Sequence, residues 1–370
     1  MKDIQKIGKI EAIALALAII TNNIIFNITS IIFNSCGSGA WLNMIYVSIL
    51  SLIFMFVILF LFKSFPGLDL LDISKFLGGK TLNCVVSILY VLLFMFFSAI
   101  CVRYYANNLH LIYFSGYSIL FLILLAFIPI IISSKTGLRA IYGTNLIVIP
   151  IAVLSIVLLL SVSIRDFTWQ KLFPIFGYGA KELFINQSIN VFSFNIIGYL
   201  YFLPSFLKDM NDFKKVSIFS VILCGLYFLL TILALTMTFS FTFTADESIS
   251  LYLISRLVSL GRFFERLDAI FIFTWILAFL SFISFNVYLM SFIVKKGFGL
   301  GDSKELVYSI SVILIGCSLV FKNIATLNSF VRNFYKIYMV ILVFGVSFII
   351  TLLAYFKKKR SLRWKLKFIY

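Results

Sequence analysis

Charged residues make up only 12% of this 370-residue sequence, and no Asp, Glu, Lys, Arg or His falls well inside any of its long apolar runs. Buried ionisable groups are the usual proton relays of coupled transporters, so a proton-driven pump is not expected. Histidine occurs once, as His110 in a loop, and no nucleophile–base pair, phosphate-binding loop or metal-ligand cluster is present. No catalytic residue, metal site or cofactor is therefore expected. The five cysteines (Cys36, Cys84, Cys101, Cys224, Cys317) lack paired spacing, which excludes a disulfide framework and leaves them as small apolar packing residues. No short apolar core followed by a small-residue cleavage site stands at the N-terminus, so the first apolar run is expected to remain as a span.

Hydrophobic residues are abundant instead: 62% of the chain, with a mean hydropathy of +1.10. Apolar runs of about 20 residues recur along the whole length, enough to cross roughly 30 Å of hydrocarbon as helices. Ten spans are expected, at about 10–33, 40–62, 81–102, 117–133, 141–162, 183–207, 216–243, 268–294, 306–321 and 337–356. The fold class is thus an all-α membrane protein forming a single integral domain over residues 1–370. The net charge of +17 would suggest nucleic acid in a soluble protein. Here it follows from an uneven distribution around the spans, and no nucleic-acid partner is expected. Alternate loops, both termini included, hold 21 of the 31 Lys and Arg residues, whereas the first intervening loop, Asn34–Ala40, holds none. Such a bias places both termini in the cytoplasm. The basic tail after residue 356, with Trp364 among its charges, reads as a stop signal lying on anionic headgroups.

Between spans two and three, Ser64-Phe65-Pro66-Gly67 marks a turn. Leu68–Leu77 then has the spacing of a short interfacial helix, ended by Gly78-Gly79. The segment Arg165–Glu182, with Trp169 and a Pro174–Gly179 turn, suits an outer interfacial loop, and Thr244–Arg266 is the longest outer segment. Arg103, Tyr104 and Tyr105 read as interfacial anchors at the end of span three.

Two spans carry polar interruptions. In the first, Thr21, Asn22 and Asn23, with Asn27 beyond, sit at mid-membrane, where lipid offers no partner for polar groups. In the sixth, Ser193, Asn195 and Gly198 lie mid-span beside Tyr199, and Pro204 follows near the inner end. Glycine permits backbone departures and proline removes a donor, so this helix is a candidate for unwinding. Spans one and six open two groups of five, about 10–162 and 183–356. Matching interruptions in such halves point to an inverted-repeat fold with a solute site at the midplane. The eighth span adds Ser281, Ser284 and Asn286, with Ser284 as a further candidate. The competing reading is that an Asn- and Ile-rich composition supplies the asparagines, and that the serines serve close helix packing. A neutral site can still hold a zwitterion, with helix N-termini facing a carboxylate and freed carbonyls facing an ammonium.

Several stretches together resemble the B-subunit family of bacterial spore germinant receptors, within the amino acid–polyamine–organocation transporter superfamily. They are Ala40-Trp41-Leu42, Phe65-Pro66-Gly67, Phe76-Leu77-Gly78-Gly79-Lys80, Leu172-Phe173-Pro174-Ile175-Phe176-Gly177-Tyr178-Gly179, Tyr201-Phe202-Leu203-Pro204, and Phe264-Glu265-Arg266-Leu267-Asp268-Ala269 followed by Trp275. Their order and spacing cover nearly the whole chain. The resemblance implies ten helices in two inverted five-helix repeats with broken helices one and six, placed in the inner membrane of a dormant spore. It also implies a nutrient germinant, commonly an amino acid, and A and C subunits as partners. The family's first span usually carries glycines and a proline near its break, where this chain has Thr21-Asn22-Asn23. Its sixth span often has an acidic residue near Gly198, where this chain has none; both departures bear on ligand identity.

The expected function is therefore a membrane receptor subunit that senses a small solute. Its site is expected from Thr21, Asn22, Asn23, Asn27, Ser193, Asn195, Gly198, Tyr199 and Ser284. An amino acid permease of the same fold is the alternative, and a purely structural subunit a third class.

Overall fold

The computed structural model describes residues 6–25, 28–246, 254, 267–301 and 304–367. Among them there is no β-strand, and one isolated bridge pairs Ile7 with Leu207. The first span is made of α1 (Lys9–Ile25) and α2 (Ile28–Cys36), followed by α3 (Ala40–Phe62), α4 (Leu70–Ile112), α5 (Ile119–Thr136) and α6 (Leu138–Ser163). The sixth span is fragmented. A short α7 (Ala180–Phe184) leads into 3-10 turns over Asn186–Phe194, a single α-turn α8 (Ile196–Leu200) and a final 3-10 turn at Leu203–Ser205. Then come α9 (Met210–Thr238), α10 (Phe241–Asp246), α11 (Leu267–Phe298) and α12 (Lys304–Leu319). The last helical run comprises α13 (Ile324–Phe330), α14 (Lys336–Val340) and α15 (Ser347–Lys367), joined through π turns at Val331–Tyr335 and Ile341–Val346.

Each expected span meets one of these helical runs. Among the described residues, seven helical stretches, from Ile28–Phe62 to Ile324–Arg360, are long and apolar enough to cross a membrane; α1, the broken sixth span and α12 are shorter. The outer surface agrees, since Phe60, Ile128, Ile147 and Val312 are each about 60–70% exposed. Such a belt faces lipid, and the chain is an integral membrane protein. The most enclosed span is α11, which lies against α1, α4, α5 and α6.

Local chemistry accounts for the breaks. Asp69 caps α4, accepting from the Asp72 backbone N–H while Asp72 returns the bond, which starts the interfacial helix where the turn ends. The helix is interrupted at Gly78 and Gly79, the latter at φ 70°, a conformation glycine adopts without a Cβ penalty. Lys357 then donates to the Phe76 and Leu77 carbonyls just before the kink (3.0 and 2.9 Å), and Lys358 donates to the Ser64 carbonyl. The start of the basic tail is therefore bound to protein, where headgroup contact was expected.

Two other expectations change. Arg103, Tyr104 and Tyr105 are buried, because α4 continues to Ile112. Arg103 donates to the Lys322 carbonyl at 3.0 Å, Tyr104 bonds Asn328, and Tyr105 stacks on Phe279 with ring centroids 3.9 Å apart. The final helical run begins at Ile324 rather than near residue 337, so it takes in a buried lysine, Lys336. Its ammonium faces the Gln187 Oε1 at 3.4 Å and the Phe192 ring, which offsets part of its desolvation. The segment Thr244–Arg266 lies mostly outside the described residues.

Candidate functional site

The interruption expected at Thr21–Asn23 is absent: all three residues lie within α1. Their side chains explain why. Thr21 donates to the Leu17 carbonyl at 2.8 Å, and Asn22 donates to the Ala18 carbonyl at 2.7 Å, both one turn back along the same helix. Polar groups satisfied in this way leave the helix intact. Asn27 lies outside the described residues, as does Phe26.

Asn23 behaves differently. Its Nδ2 donates to Asn195 Oδ1 at 2.6 Å, and Asn195 Nδ2 donates back to Asn23 Oδ1 at 3.0 Å. Both side chains are buried, so the first and sixth spans meet through a neutral pair of carboxamides. Asn195 stands between the 3-10 turns and α8, where the chain leaves regular helix. Around the pair lie aromatic rings: Phe94 is 4.6 Å from the Tyr199 ring, and Phe97 stacks on Tyr335 at 5.7 Å. The Tyr199 hydroxyl donates to Asn286 Oδ1 of α11 at 2.8 Å. The cavity beneath Tyr199, between α1 and the end of the sixth span, measures about 30 Å³, room for a single water.

The other candidates serve packing or lie apart. Ser193 donates to the Asn190 carbonyl at 2.7 Å, within its own 3-10 segment. Gly198 is where a helix passes closely: a Cβ there would meet Val343 Cγ2 at 3.3 Å. Ser284 donates to Leu280 of its own helix, and its carbonyl accepts from Ser134 of α5 at 3.0 Å, so it joins α11 to α5. Asn22 also reaches the Ala278 carbonyl of α11 at 3.3 Å, while its Oδ1 is buried without a hydrogen-bond partner. Nearby, Ser281 donates to Asn145 Oδ1 of α6 at 2.6 Å. A second polar patch thus lies where α1, α6 and α11 meet.

Both ends of this site are covered. At one end, Gly177 of the Leu172–Gly179 turn lies against the C-terminal end of α2, so close that a Cβ would fall 1.9 Å from the Cys36 carbonyl oxygen. Ser38 donates to the Pro174 carbonyl at 2.6 Å and fixes the same contact. At the other end is a cluster of charge that the sequence disguised. Lys296 Nζ is 2.7 Å from Asp69 Oδ2 and 2.6 Å from Asp72 Oδ2. Ser205, closing the sixth span, donates to Asp69 at 2.5 Å, and Lys6 donates to the Ser205 carbonyl at 2.8 Å. The segment before α1 is also tied by its backbone: Ile7 donates to Phe206, and Lys208 to Ile7. Burial pushes the Asp69 carboxyl above its usual range, against the pull of the Lys296 ammonium. Burial and Lys296 together lower the Lys6 ammonium.

The first span and the fragmented sixth span thus meet at a buried polar pair, with contacts of the chain at either end of the two spans. Consistently, the chain is similar in fold to a sodium-coupled sialic acid symporter solved in a substrate-bound, outward-open state. The TM-score is 0.61 at 14% identity, over 93% of this chain and 78% of that one. No curated protein matches the sequence. The model of the spore germination protein family matches residues 8–327, and the chain belongs to that family. Its fold and family are those of membrane transporters and receptors rather than of enzymes.

Proposed function

We propose that this protein is the membrane subunit of a nutrient germinant receptor, sensing a small solute with amino acid chemistry in the inner membrane of the spore, beside A and C subunits. The observation that carries the reading is the Asn23–Asn195 pair. Each carboxamide offers a donor and an acceptor. A zwitterion offers both in return, as carboxylate and ammonium, so it can replace the pair bond for bond, and such exchange costs little net free energy. Insertion would part α1 from α8 and bias the contacts at the charged end, which partner subunits can read. Spores lacking the gene, tested on single amino acids and salts, are expected to lose the response to one nutrient. The wild-type gene should restore it and Asn23→Leu should not, with both proteins present in the membrane. An unchanged response to every nutrient would overturn the reading.

The symporter-like fold favours a second reading, an amino acid permease. Uptake of labelled solute into proteoliposomes containing this chain alone would select it.

A further inference from the structure

An open groove of about 1040 Å³ lies at the charged end of the bundle, between the start of α1, the end of α3 and the first turns of α9. All three helices present the same arrangement to it. On α1, Lys9 is followed one turn deeper by Ile13; on α3, which runs the other way, Lys63 follows Leu59 by one turn; on α9, Lys214 and Lys215 precede Ile218, Phe219 and Ile222. Residues four apart share a helix face, so each wall passes from ammonium to hydrocarbon over about 5.4 Å. None of the four ammonium groups is hydrogen-bonded or ion-paired among the described residues, whereas Lys296 is paired with two carboxylates. Asp209 and Asp212 also line the groove and leave it with a net excess of two positive charges. Asp209 is engaged in capping α9. Phe219 and Ile222 are 45% and 39% exposed, an apolar wall open to its surroundings.

From this arrangement we infer that the groove is a binding site for one anionic phospholipid, its phosphate among Lys9, Lys63, Lys214 and Lys215 and an acyl chain along Leu59, Ile218, Phe219 and Ile222. A basic pocket between spans at the membrane surface suits such a headgroup. The depth of the apolar wall separates a lipid from a soluble anion, which would use the lysines alone. The lipid would bridge α1, which carries Asn23, to α3 and α9. The inference stands whichever solute the protein recognises.

The test uses the full chain, purified in neutral detergent and placed in phosphatidylcholine nanodiscs containing one-fifth phosphatidylglycerol, with bound lipid counted by native mass spectrometry. Wild type should retain one phosphatidylglycerol in the presence of 10 mM inorganic phosphate. K63Q/K214Q/K215Q should lose it at least tenfold, while K75Q/K80Q/K359Q, with the same change in net charge at the same end, should keep it. Equal loss in both variants would assign the effect to diffuse surface charge and overturn the site. Displacement by phosphate would overturn it in favour of a soluble anion, and retention by the groove variant would overturn it outright. Should the groove variant aggregate, wild-type protein photolabelled by phosphatidylglycerol with a diazirine acyl chain decides the matter. Labelling at residues 218–222 supports the site, and labelling elsewhere overturns it.

Discussion

Asn23–Asn195 and the Asp69–Lys296 cluster join the first and sixth spans at different depths and by opposite means. At mid-depth the link is neutral and reciprocal, two bonds between two side chains. At the charged end it is ionic and branched: one ammonium meets two carboxylates, and Ser205 and Lys6 draw in the sixth span and the segment before α1. A neutral pair loses little on exchanging one partner for another. A buried ion pair costs heavily when only one member is lost, yet its net worth is small, because desolvation offsets most of the attraction. The first arrangement suits recognition and the second suits a latch.

The contrast predicts a graded series. The largest effect should come from Lys296→Met, which strands Asp69 and Asp72 and should cost about 3–5 kcal/mol. D69N/D72N/K296M, which leaves only the partly exposed Lys6 ammonium beside Ser205, should recover most of that loss; thermal unfolding in detergent reads both. If the triple variant is as unstable as the single one, the cluster is no latch. Next, Asn195→Leu leaves the Asn23 amide buried and unpaired and should cost about 1–3 kcal/mol. N23L/N195L should regain stability while the germination response stays lost, which separates recognition from packing. Gly198→Ala pushes only on Val343 and should cost at most about 1 kcal/mol, relieved by V343A. Smallest of all, Thr21→Val removes a hydroxyl bonded to its own helix, and should change stability by less than about 0.5 kcal/mol and leave the response intact.

The helical spans were legible because apolar run length alone dictates them in a membrane. The fragmentation of the sixth span was legible in part from Pro204, which lies in its final 3-10 turn, whereas Gly198 sits within the single α-turn of α8. Asn23 and Asn195 could be singled out by depth and by their matching places in two halves. Their pairing with each other could not, since Thr21 and Asn22 carry the same signal and spend it on carbonyls of α1. Asp69, Lys296 and Lys6 looked like ordinary loop charges, and only contacts spanning 227 and 199 residues reveal them as one cluster. Lys336 was hidden by a helix start about a dozen residues earlier than hydropathy suggests, drawn there by the Asn323–Thr326 capping box.

Self-closure of the Asn23–Asn195 pair also sets a concentration scale. On the proposed function, a solute would reach the two carboxamides only while they are parted, so its half-saturating concentration would equal the intrinsic dissociation constant divided by the parted fraction. A pair open about 1% of the time would raise that concentration roughly a hundredfold. Traces of nutrient would then go unanswered. The dose at which such a receptor responds would then be adjustable through the strength of one amide–amide contact.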